Sequence, residues 1–161
     1  MSLYDRRTLI LSLAALPLAG CGYAPAHAPG GRAAGLHGSV GAEAPTDRQG
    51  YDLVERLEQR LGRAAAPRWL LAYRIETMPV GAGITRTGAI TRYTLTGNAT
   101  YRLTESATGA EVTAGRVEGF TSWSAAGSTV ATLAAEQDAH RRLMHILADQ
   151  IVTRLTAAGM E

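Results

Sequence analysis

The chain has a single cysteine and no lysine, and no apolar run in it reaches the ~20 residues that a helical membrane span needs. One cysteine excludes an intrachain disulfide, so the fold must hold through its core alone. Without lysine, every basic side chain is an arginine, the better bidentate partner for phosphate and carboxylate. Acids nearly balance the arginines, leaving a net charge of +2, so the basic excess does not indicate a nucleic-acid binder. No internal repeat is visible.

Catalytic groupings are also missing. His27 and His37 lie in a Gly/Ala/Pro-rich stretch, while His140 and His145 are spaced i,i+5 in a helical segment and face different ways, so they cannot share a metal. His140 falls on an apolar stripe and reads as a packed side chain. Ser122, Ser124 and Ser128 lack the elbow sequence of a serine hydrolase. Gly81, Gly83 and Gly88 do not open a helix in a phosphate-loop pattern, and Glu111 and Glu118 have no histidine or nucleophile placed beside them by motif. The expectation is a protein that is not an enzyme and has no metal and no cofactor.

What is present starts with an address. Asp5-Arg6-Arg7 gives a charged leader, and Thr8 to Leu18 gives an apolar core of secretory length. The run Leu18-Ala19-Gly20-Cys21 resembles the bacterial lipoprotein box, in which small residues fit the signal peptidase and the cysteine thiol accepts a diacylglycerol before cleavage. The alternative is an ordinary signal peptide followed by an inert cysteine. Arg6-Arg7 also permits a twin-arginine export reading, which the flanking residues match poorly. Gly22 stands where an inner-membrane retention signal would place Asp, which by the same resemblance directs the acylated protein to the outer membrane. Several acyl chains together make a stable tether where one holds only marginally. The expected organisation is a signal peptide over 1–20, a lipidated flexible tether over 21–45 and one domain over 46–161, a length that suits one core and not two.

The tether is rich in Gly, Ala and Pro, and within it Leu36 to Val40 is a candidate edge strand. Thr46-Asp47-Arg48-Gln49 has capping-box spacing and opens an amphipathic helix over about 47–61, with Tyr51, Leu53, Val54, Leu57 and Leu61 on its apolar side and Gly62 as its cap. Its Asp52 and Arg56, at i,i+4, read as a pair on the wet side. After Pro67 the period becomes two. Trp69, Leu71, Tyr73 and Ile75 share one face of a strand over about 68–78, which Pro79 is expected to end.

A second strand alternates cleanly, Tyr93, Leu95, Ala99, Tyr101 and Leu103 against Arg92, Thr94, Thr96, Asn98, Thr100 and Arg102. A turn over Glu105 to Ala110 leads to a third strand through Val112, Ala114, Val117, Phe120 and Trp123, with a slip near Gly115 that suggests a bulge. From about 131 to 157 the helical period returns, with Leu133, His140, Met144, Leu147, Ile151 and Leu155 in one stripe widened by Leu143 and Ile146. At 1.5 Å per residue this helix is about 40 Å long, matching the long hairpin. The predicted fold is α+β, a two-layer sandwich of a small, mostly antiparallel sheet packed against two helices.

One asymmetry is left over. From Thr77 to Thr104 there are three arginines, eight threonines and no acid. A solvated strand face explains this, and so does a surface for a polyanion or phosphoglycolipid, with guanidinium groups on phosphates and hydroxyls on sugars.

Taken together, Cys21-Gly22-Tyr23-Ala24-Pro25, the helix from Asp47-Arg48-Gln49 to Leu61-Gly62, the strand from Ile90-Thr91-Arg92 to Leu103, and Ala135-Glu136-Gln137-Asp138-Ala139 leading to Leu147-Ala148-Asp149-Gln150-Ile151 resemble the lipopolysaccharide-assembly lipoproteins (LptE-like) of alphaproteobacterial type. The resemblance rests on order and spacing. It implies an outer-membrane lipoprotein that plugs a large β-barrel translocon (LptD-like), assists its assembly and contacts lipopolysaccharide on its way to the outer leaflet. Arg86 and Arg92 are the best positional matches for the basic residues that meet the glycolipid, with Arg102 and Arg116 as further candidates. The rival reading is a free-standing periplasmic lipid-carrier or transport-auxiliary lipoprotein that would hold an acyl chain in a hollow core, and a third is a purely structural envelope lipoprotein.

Overall fold

The computed structural model describes residues 35–158. The leader, Cys21 and most of the tether lie outside the described residues. Six elements follow in order: β1 (Val40–Ala42), α1 (Arg48–Leu61), β2 (Trp69–Ile84), β3 (Ile90–Glu105), β4 (Glu111–Ser124) and α2 (Thr129–Ala158). The strands form one sheet in the order β1-β2-β3-β4, with β1 parallel to β2 and the other pairs antiparallel. Both helices pack on one face of it, as the sequence pattern predicts.

Folded structure starts earlier than the tether boundary suggests. Leu36 is fully buried, Val40 nearly so, and the Gly38 N–H donates to the Leu61 carbonyl at 2.7 Å, which pins this segment to the end of α1. The strand itself lies at Val40–Ala42, because Leu36 to Ser39 form a turn that carries the chain into the sheet. α1 starts on Asp47, whose carboxylate accepts from the Gly50 N–H at 2.7 Å. It stops at Gly62, whose φ of 75° favours a residue without a Cβ and whose N–H returns to the Glu58 carbonyl.

The α1 stripe is Leu53, Leu57 and Leu61, while Tyr51 points to solvent. Asp52 and Arg56 do not pair with each other. Asp52 is turned inward near Arg48, and Arg56 forms a fork with Asp149 of α2 through bonds of 3.0 and 2.9 Å. A partner on the neighbouring helix outcompetes the local i,i+4 geometry.

Pro79 does not end β2, which runs on to Ile84. The Trp69 N–H bonds the Ser39 carbonyl and the Leu71 carbonyl accepts from Glu43, so odd-numbered residues there turn their backbone groups away from β3. Beyond Leu71, β1 no longer flanks β2, so Pro79 faces a free edge and its missing N–H breaks no ladder bond. In β4 the register shifts between Leu103 and Thr104, next to Val112, and not at Gly115. Odd positions Val117, Thr121 and Trp123 therefore face inward, and Phe120 is 71% exposed on the other side.

Leu95, Leu103, Leu143, Met144, Leu147, Ile151 and Leu155, all with no exposed surface, fill the space between sheet and helices. Tyr93 stacks on Trp123 with ring centroids 5.0 Å apart, a contact that contributes about 0.5–1.5 kcal/mol beyond its buried area. Burial on α2 begins at Ala139, whose carbonyl accepts from the buried Thr121 hydroxyl at 3.0 Å. Leu133, expected in the stripe, lies almost two turns before that point and is 54% exposed, because the helix overhangs the core there.

Candidate functional site

The outer sheet face, opposite the helices, carries the arginines and threonines. Pairing across β2, β3 and β4 arranges it in rows. Arg74, Thr100 and Arg116 form one row, then Glu76, Asn98 and Glu118, then Met78, Thr96 and Phe120, then Val80, Thr94 and Ser122. Positive, acidic and apolar rows thus follow one another toward the β2–β3 turn, around a shallow open depression of about 540 Å³ that includes Met78, Thr96, Asn98, Arg116 and Phe120.

The four arginines singled out from the sequence fall into two groups. Arg86 sits in the turn Thr85 to Gly88, which closes when the Gly88 N–H bonds the Thr85 carbonyl at 3.0 Å and is braced by the Thr85 hydroxyl on the Ala89 N–H. Gly88 has φ of +84°, the left-handed residue that a three-residue hairpin loop needs. Arg92 stands a few residues away on β3, opposite Ser124. Both are exposed, and among the described residues neither has an ion-pair partner.

Arg102 is ten positions further along β3, roughly 33 Å at strand rise. It pairs with Glu111 at 3.2 Å, and Arg116, diagonal to it on β4, pairs with Glu118 at 3.0 Å. The acid-free stretch of sequence therefore receives acids from the next strand. Strand pairing brings Arg86 and Arg92 to one end of the sheet and leaves Arg102 near its other end and Arg116 between, each paired with a glutamate.

Sequence reasoning missed the apolar row. Met78, Val80 and Phe120 are 64%, 48% and 71% exposed on the outer face, and Ile84 and Ile90 flank the turn. Strict period-two counting back from Trp123 would have placed Phe120 outward. Among the described residues, no group of three His, Cys, Asp or Glu side chains is placed to hold a metal. Tyr73 and Tyr101, on the inner face, have pKa values raised by burial, with Asp47 and Glu43 adding to the shift at Tyr73 and Arg154 opposing it at Tyr101.

Fold and surface together define a two-layer α+β domain with one sheet face open and chemically banded. The sequence model of the lipopolysaccharide-assembly family (LptE) matches residues 39–155, and the chain belongs to that family. A lipoprotein from Caulobacter crescentus has the same fold, with a TM-score of 0.65 and 25% identity over 78% of this chain and 93% of that one. Rare lipoprotein B from Shewanella oneidensis aligns with a TM-score of 0.56 and 12% identity, covering 74% of this chain and 92% of its own. Lipoprotein B from Nitrosomonas europaea gives 0.54 and 17%, covering 74% and 81%. No curated protein matches the chain. The family places the chain among the lipoproteins of lipopolysaccharide assembly.

Proposed function

We propose that the chain is an outer-membrane lipoprotein, acylated on Cys21, whose domain plugs an LptD-like β-barrel translocon, assists its assembly and contacts lipopolysaccharide at Arg86 and Arg92. The observation that carries this reading is the open sheet face, where exposed Met78, Val80 and Phe120 lead to an end with Arg86 in the turn and Arg92 on β3, neither with an acidic partner among the described residues. An apolar row suits a barrel wall or acyl chains, and free guanidinium groups suit phosphates. Arg102 and Arg116, already paired with glutamates, take a secondary part. The lipid-carrier alternative needs a hollow core, and the leucine-packed space between the layers gives it no support.

The test is affinity purification of the tagged, acylated protein from outer membranes in mild detergent, with co-eluting proteins identified. A stoichiometric large β-barrel is the expected result. Elution of the protein alone would overturn the plug reading.

A further inference from the structure

A second polar cluster lies on the helical side of the sheet, where the start of α1 meets α2. Arg48, Gln49, Asp52, Gln137 and His140 line a cavity of about 210 Å³ there. Asp52 is only 9% exposed, yet its one ion pair among the described residues is with Arg48 at 3.7 Å, too long for a hydrogen bond, and the Arg48 side chain is 76% in solvent. Among the described residues no buried side-chain oxygen or nitrogen lacks a partner, so the Asp52 carboxylate keeps an opening to solvent, and it lines this cavity.

Gln49 organises the opposite wall. Its amide nitrogen donates to Thr77 Oγ1 at 3.2 Å and shares a hydrogen bond of 3.3 Å with His140 Nδ1. The tautomer in which Nδ1 accepts this bond carries its proton on Nε2, for which no partner is found among the described residues. The cavity is thus lined by a carboxylate and an imidazole, with the Gln137 amide beside them.

We propose that this cavity binds a small amino alcohol, the ammonium group on Asp52 and the hydroxyl oxygen on His140 Nε2. Its volume is below the roughly 300 Å³ of a drug-sized pocket and several times the ~30 Å³ share of a water, which suits one headgroup or sugar-sized unit. An anion would meet Asp52 with only the solvated Arg48 to offset it. A metal ion would find one carboxylate and one imidazole, short of the three protein ligands it needs. The amine can come from an ethanolamine headgroup or from an amino sugar, and the chemistry at Asp52 is the same.

The experiment is NMR of the purified full-length chain in mild detergent, labelled at histidine and titrated with ethanolamine and with glucosamine. Ethylene glycol and N-acetylglucosamine serve as controls that lack the charged amine. The expected result is a saturable shift of the His140 resonance with at least one amine and not with its control, and about tenfold or greater weakening in Asp52→Asn. The amine that saturates at lower concentration identifies the source. No saturable shift with either amine, equal shifts with the controls, or unchanged affinity in Asp52→Asn would overturn the proposal. The comparison of amine with control in the unaltered protein decides even where Asp52→Asn fails to fold.

Discussion

Gly97 of β3 and Leu143 of α2 meet with no space between them: a Cβ at Gly97 would lie 2.7 Å from Leu143 Cδ2 and 3.3 Å from Thr77 Cγ2. Gly119, its cross-strand partner on β4, is filled in the same way by Ile146, 3.0 Å from where its Cβ would be. The glycine pair is therefore a notch into which α2 is seated. It brings the long helix close to the sheet at the level where the outer face changes from acidic to apolar rows.

Gly97→Ala should cost about 1–3 kcal/mol, because Leu143 has no exposed surface and cannot swing aside. Urea unfolding measures it. Leu143→Ala alone should cost about 2–5 kcal/mol through the cavity it leaves, and the double variant should lose less than the sum, since each change makes room for the other. Strict additivity would mean that the notch is not the contact that seats α2.

Arg86→Glu with Arg92→Glu should weaken lipopolysaccharide binding by about tenfold or more while shifting stability by no more than ~0.5 kcal/mol, since both side chains lie outside the core. Arg102→Glu with Arg116→Glu should affect binding less, because Glu111 and Glu118 already hold those guanidinium groups. Binding assays on both pairs, with thermal melts as the folding control, give the comparison. Equal loss in the two pairs would remove the turn as the favoured contact.

The layered α+β fold was legible because β3 and both helices each bury one face. Tyr93, Leu95, Ala99, Tyr101 and Leu103 alternate without a break, and Leu53, Leu57 and Leu61 repeat at a helical turn. What stayed hidden depended on partners remote in sequence. Arg56 beside Asp52 looks like a local pair until α2 brings Asp149 to it. Arg102 looks free until β4 supplies Glu111. Pro79 looks like a stop until β1 proves too short to flank it. The Asp52 cavity has no signal in the sequence at all, because its walls come from positions some ninety residues apart, as in the Gln49 and His140 contact.

Cys21→Ala should abolish acylation and release the protein from the outer-membrane fraction, because the acyl chains on that thiol are the bilayer attachment that the lipoprotein box provides. Each methylene of an anchored chain contributes roughly 0.8 kcal/mol, whereas among the described residues no helix is long and apolar enough to cross a membrane. Fractionation with metabolic labelling by palmitate reads both effects. A variant that stays in the outer membrane without label would shift the anchoring to the barrel partner.

Stability should fall as pH rises above about 10, and tyrosine should be the cause. With no lysine in the chain, tyrosine is the one side-chain class that titrates between about pH 9 and 12. Burial holds the pKa values of Tyr73 and Tyr101 above the usual tyrosine value, with Asp47 and Glu43 raising Tyr73 further. An unfolded tyrosine then loses its proton at a lower pH than the folded one, so the native state binds more protons and stability declines with pH. The contribution is complete below the unfolded pKa and is lost as pH climbs through the folded values. The urea midpoint should therefore be lower at pH 11 than at pH 9, and Tyr73→Phe should flatten that difference. Absorbance at 295 nm should show a late ionisation step that shrinks in the same variant. A midpoint that rises over this range would contradict the buried placement of both rings.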